Sequence, residues 1–127
     1  MKIRIIILIS TLILIFCLVY TYAYQSHRDI RIENPKFHMS SDSLHHNFSH
    51  QQKKANELYI NQVLAIEGNV LSFSQQMILL EPGIACMKDS SFVFPAINLG
   101  DRVTIKGRCI GYDDLFGEVK MDQSTLY

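Results

Sequence analysis

The sequence predicts an all-β domain, a five-stranded barrel with one leading α-helix, carried behind an N-terminal segment able to cross a membrane. Three observations predict it. Residues 5–24 carry no charged side chain. From Gln62 onward apolar and polar residues alternate, the period of strands with one buried face. Two of these strands place a glycine on the apolar face in mid-strand, at Gly68 and Gly107. Glycine weakens a strand unless a sharp bend or a close backbone approach requires it.

The first element is the run from Ile5 to Tyr24 within residues 1–24. A helix needs ~20 apolar residues, each rising ~1.5 Å, to cross the hydrocarbon layer. Lys2 and Arg4 precede the run, and the far side opens on the mixed group Arg28, Asp29, Arg31 and Glu33. The positive-inside bias therefore leaves the N-terminus in the cytoplasm and the rest outside. Tyr20, Tyr22 and Tyr24 sit where aromatic rings suit the membrane interface. The expectation is a single-pass protein of the cell (inner) membrane with an extracytoplasmic domain. Two alternatives stay open. Thr21 and Ala23 are small residues that suit signal cleavage after Ala23, although the neighbouring tyrosines fit a cleavage region badly. Cys17 could carry a lipid, but Phe16 stands where a lipoprotein signal wants a small residue. All three readings export the domain.

Residues 25–41 read as a tether, being polar, interrupted by Pro35 and without sustained period. Residues 42–127 form the domain. Ser40, Ser41 and Asp42 offer helix caps. Leu44, Phe48, Ala55, Leu58 and Tyr59 then recur at helical spacing over 42–59, giving a narrow apolar stripe that needs a surface to pack on. The first strand follows over 63–71, with Leu64, Ile66, Gly68 and Val70 on one face. Segments 76–81 and 83–88 are joined by the turn Pro82-Gly83. A connection over 89–100, with room for a short helix, ends at Leu99-Gly100-Asp101. A fourth strand over 102–110 turns Val103, Ile105, Gly107 and Cys109 inward, and a last one over about 117–123 turns Val119 and Met121 inward. Three strands, a longer connection and two strands are the element order of the OB-fold, a Greek-key barrel. Strongly coiled barrel strands would use the two glycines as bends.

From Leu44 to Leu126 the chain resembles a family of bacterial OB-fold proteins named for likeness to the tRNA anticodon-binding domain. Many of its members are lipoproteins or exported proteins without assigned function. The residues that carry the resemblance are Leu44, Phe48, Ala55, Asn56 and Tyr59, the run Val63 to Val70, Cys86, Leu99-Gly100-Asp101, and the run Val103 to Tyr112. The resemblance implies the fold and is nearly silent on function. Phe16 departs from its lipoprotein members.

Charge disfavours nucleic acid as a partner. Residues 60–127 hold five basic and eight acidic side chains, and non-specific nucleic-acid affinity comes mainly from Lys and Arg displacing counterions. No catalytic set is visible: there is no Gly-x-Ser-x-Gly, and all five histidines (His27, His38, His45, His46 and His50) precede the barrel. The expectation is no enzyme and no cofactor. His46 and His50 are spaced i,i+4, which can hold a metal, but a solvated helix face explains them equally. Cys86 and Cys109 are either a disulfide, natural in a small exported domain, or two buried thiols. Asp113-Asp114 suits a solvated turn. Phe73, Phe92, Phe94, Tyr112 and Phe116 could stack on a ligand or anchor loops. The functional expectation is a membrane-tethered binding module for an extracytoplasmic protein, peptide or glycan. A single-stranded nucleic-acid binder is the alternative. A periplasmic metal or haem carrier is the second alternative. The haem chaperone of cytochrome c maturation is similar in placing an OB barrel after one membrane helix, but the last strand here has no histidine for haem.

Overall fold

A computed structural model describes residues 1–24 and 28–127; His27 lies outside the described residues. Helix α1 (Lys2–Ala23) is long and apolar enough to cross a membrane by length and composition. Its 22 residues span about 33 Å at ~1.5 Å each. Thr11 donates its hydroxyl to the Ile7 carbonyl at 2.7 Å and Thr21 to that of Leu18 at 3.0 Å, so neither hydroxyl needs water, a condition hydrocarbon imposes.

The domain is a closed barrel of five strands: β2 (Val63–Phe73), β3 (Met77–Leu80), β4 (Ile84–Lys88), β5 (Arg102–Asp113) and β6 (Glu118–Leu126). The order β2-β3-β4-β6-β5 is closed by β2–β5 pairing. The parallel contact of β4 with β6 amid antiparallel neighbours completes the OB connectivity expected from the element order. Inward side chains of every strand, including Leu64, Ile66, Ile78, Leu80, Ile84, Cys86, Ile105, Val119 and Met121, make one buried core. The start of β2, the β3–β4 turn and the β5–β6 turn share one end of the barrel. The β2–β3 turn and the 89–101 connection lie at the other.

The leading helix is two helices, α2 (Ser41–His50) and α3 (Gln52–Tyr59). Ser40 caps α2 by accepting from the Ser43 amide. The break falls at Gln51 (φ −136°, ψ 50°), and Asn47 donates to the Tyr59 hydroxyl across it at 3.1 Å. Leu44, Phe48, Ala55 and Tyr59 enter the barrel core. Leu58, expected on the apolar stripe, stays exposed.

Residues 28–40 differ from the expected featureless tether. Strand β1 (Phe37–Ser40) pairs in parallel with Leu64–Glu67 of β2. Ile30 is 1% exposed. The segment is held by Lys106, whose ammonium donates to the carbonyls of Arg31 at 2.7 Å and Glu33 at 3.2 Å. Arg28 donates to the Asn61 carbonyl at 2.9 Å and pairs with Glu33. These contacts are long-range, so no local period announces them.

The two glycines have distinct roles. A Cβ on Gly68 would lie 2.5 Å from the Ser41 hydroxyl oxygen, so this glycine admits the start of α2. Gly107 sits where the β5–β6 register shifts, with the Ser124 hydroxyl 2.6 Å from where its Cβ would be, the irregularity a coiled strand needs.

Candidate binding site

Outward residues of β3 and β4 form a face that α2 and α3 do not occupy, because those helices pack mainly on β1, β2, β5 and β6. The register sets Met77 opposite Met87 and Leu79 opposite Ala85, with Ala85 next to Lys120 on β6. Met77 and Leu79 are half-buried and Met87 is exposed. Thioether side chains adapt to varied partners, which suits a binding surface. Beyond the strand ends, exposed Phe73 precedes the β2–β3 turn and exposed Phe116 lies in the β5–β6 turn.

The face runs into two clefts. One, of about 620 Å³, is lined by Phe73, Ser74, Gln75, Ile78, Lys88 and Val93–Ile97. Another, of about 680 Å³, is lined by Ser74, Gln76, Met77, Met87, Lys88 and Ser90. The Ser74 hydroxyl shapes the turn between them by accepting from the Gln76 and Met77 amides at 3.3 and 3.2 Å. The 89–101 connection contains no helix. Asp89 braces it by accepting from the Ser91 amide at 3.3 Å, and Phe94 and Ile97 pack onto the core.

Electrostatics single out Lys88, which borders both clefts. Lys120 is paired with Glu118 at 3.1 Å and Asp113 at 3.9 Å. Arg102 meets Glu67 at 2.5 Å, Arg108 grips Asp122 through two bonds of 2.9 and 2.5 Å, and Lys106 is spent on carbonyls. The Asp122 carboxylate raises the Arg108 guanidinium above its ordinary value. Of the five basic residues in the barrel, only the Lys88 ammonium has no partner among the described residues.

The other sequence candidates are dispersed. Cys86 and Cys109 are free and buried, each opposite Met121 on β6. With a strand between them their Cα atoms are roughly 8–10 Å apart, beyond the ~7 Å limit for a bridge. The disulfide that the spacing left open is not formed, and burial pushes both thiols up to about 12. His46 and His50 stack with ring centroids 4.1 Å apart on the exposed side of α2. Among the described residues, no three His, Cys, Asp or Glu side chains group as metal ligands. His45 was not singled out by the sequence. Its Nε2–H donates to the Gly117 carbonyl at 2.7 Å and ties α2 to the β5–β6 turn. Tyr112 stacks on Phe48 at 5.9 Å as core, and Asp113 caps its turn by accepting from Leu115 at 3.0 Å.

No family model matches the chain, and no curated protein matches it. The crystal structure of telomere capping protein Ten1 from Saccharomyces pombe is similar at 16% identity and a TM-score of 0.38, covering 73% of this chain and 81% of that one. The OB assignment here rests on strand order and register.

Proposed function

We propose that the protein is a non-enzymatic binding module, tethered by α1 and displayed outside the cytoplasm, that takes an extended peptide, protein segment or glycan on the β3–β4 face. The observation that supports it most is an apolar, methionine-bearing face left open beside two clefts. OB domains bind oligonucleotides and oligosaccharides on this pair of strands and its flanking loops. The kinship with exported tRNA-anticodon-binding-like proteins belongs to the same proposal, as do the boundaries 1–24 and 42–127. Site-specific photo-crosslinking of the full chain in its membrane tests it. A crosslinker at Met87 should capture an extracytoplasmic ligand, and one at Thr104 should not. Equal capture from both positions contradicts it.

A second reading is a single-stranded nucleic-acid module. Its support is the exposed rings of Phe73 and Phe116 at the borders of the face, since base stacking is sequence-tolerant. Pairing of every barrel cation but Lys88 weighs against it. Single-stranded oligonucleotides that bind with steep salt dependence and shift the Phe73 and Phe116 signals would establish this reading. No binding at low salt removes it.

A further inference from the structure

A second exposed apolar surface lies at the end of the barrel remote from the clefts. Leu115 and Phe116, at the tip of the β5–β6 turn, are 91% and 73% exposed. Leu115 shares a depression with Ile110, and Ile110 and Ile60 are both exposed. Ile60 and Ile110 come to neighbouring backbone positions because the Asn61 amide donates to the Cys109 carbonyl at 2.7 Å. Asp113 holds the tip by accepting from the Leu115 amide. A tip bearing two large apolar side chains, so built, is apolar surface without a cover among the described residues.

The chain itself names the partner. Arg28 is fastened to the Asn61 carbonyl at this same end, while Tyr24 ends α1. Four Cα steps separate Tyr24 from Arg28, a reach of at most about 14 Å. If α1 crosses a membrane, the Arg28 backbone is therefore leashed within about 14 Å of the helix exit, and its guanidinium fastens this end of the barrel on the side of the zone where aromatic and apolar side chains enter the interface.

We propose that the barrel docks on the outer surface of the bilayer through Leu115, Phe116, Ile110 and Ile60. The inference rests on the tethered reading of α1. Acidic Asp113 and Asp114 flank the tip, so the contact is apolar insertion into a zwitterionic headgroup layer rather than attraction to anionic lipid. It leaves the clefts at the far end free for a ligand.

The chain contains no tryptophan, so a single introduced one reports its own surroundings. Three variants of the full chain, Phe116→Trp, Val93→Trp and Phe16→Trp, are reconstituted in vesicles of phosphatidylcholine brominated along the acyl chains. Docking predicts a blue-shifted, bromine-quenched emission from position 116, as from position 16 within α1, and a red, unquenched emission from position 93 in the 89–101 connection. Quenching at 16 but not at 116 overturns the docking and leaves the anchor standing. A blue shift at 116 without quenching means that protein, such as a second copy, covers the tip, and also overturns it. No quenching at 16 removes the anchor, and the docking with it.

Discussion

The barrel has two outer faces built from the same alternation, and they end differently. On the β2–β5 side, outward Val63 and Ala65 are buried, and here the chain folds residues 28–40 back against the barrel, pairing β1 beside β2 and pinning the strap with Lys106. On the β3–β4 side, outward Ala85 is buried, but Met77 and Leu79 are only half-buried and Met87 is exposed, and α2 and α3 pack mainly on other strands. The first face is satisfied from within the molecule. The second keeps its apolar surface for something else. Outward-facing apolar residues in a strand thus report a cover, and the structure tells whether the cover is the protein's own.

The largest test contrasts the sealed end of the barrel with the open face. Phe48→Ala removes a fully buried ring wedged between Tyr112 and Tyr59 and should cost ~3–5 kcal/mol of unfolding free energy. Met87→Ala on the open face should stay within about 1 kcal/mol. Urea denaturation of both variants checks the pair, and equal losses would mean that the face is structural.

Gly68→Ala should cost ~1–3 kcal/mol, the usual range for overpacking, because the new methyl meets Ser41. Adding Ser41→Gly removes the atoms it meets and should recover most of the loss. A double-mutant cycle with no coupling would break the claim that Gly68 exists for the helix start.

Lys106→Met keeps the packing but strips two carbonyls of a charged donor, an effect on the order of 1–2 kcal/mol. The loss should appear in the strap before the barrel, as faster amide exchange around Ile30 with β3 and β4 unchanged. Uniform loosening of all strands would show that the strap is not a separate layer.

The smallest effect is acid release of the strap. Hydrogen bonding to Arg28 holds the Glu33 carboxyl below its ordinary value of 4.5, and hydrogen bonding to Arg31 does the same for Asp29. Carboxylates depressed in the folded state contribute stability that is complete above their ordinary values and lost as pH falls from there through the lower folded-state values. The Ile30 methyl resonance should therefore move toward its solvent-exposed position below about pH 4.5, while β4 methyls stay put. Both pairs are exposed, so the shift is modest.

Much of the barrel was legible because strand alternation is local: Leu64, Ile66, Val103, Ile105, Val119 and Met121 all face inward as their spacing requires. Gly68 and Gly107 marked real constraints, although Gly68 answers a close approach rather than a bend. The strap was hidden because Ile30, Phe37 and Met39 are isolated apolar residues in a polar stretch whose partners lie dozens of residues away. Its readable trace was in the first strand, where Val63 and Ala65 are apolar on the supposedly wet side. The cysteine spacing could not reveal that Met121 would lie between the two thiols. Nor could it show the clefts, whose walls join Phe73 and Ile78 to Phe94 and Ile97 through a connection without periodicity. Lys88 stands out only after every other barrel cation is seen to be paired.

The central claim is that the barrel, tethered as proposed, binds its ligand on the β3–β4 face. Photo-crosslinking from Met87 and from Thr104 in the full-length protein in its native membrane tests it most directly. The account predicts a discrete extracytoplasmic adduct from Met87, abolished by Leu79→Glu, and none from Thr104. Indistinguishable adducts from both positions, or a Met87 adduct indifferent to Leu79→Glu, would contradict it.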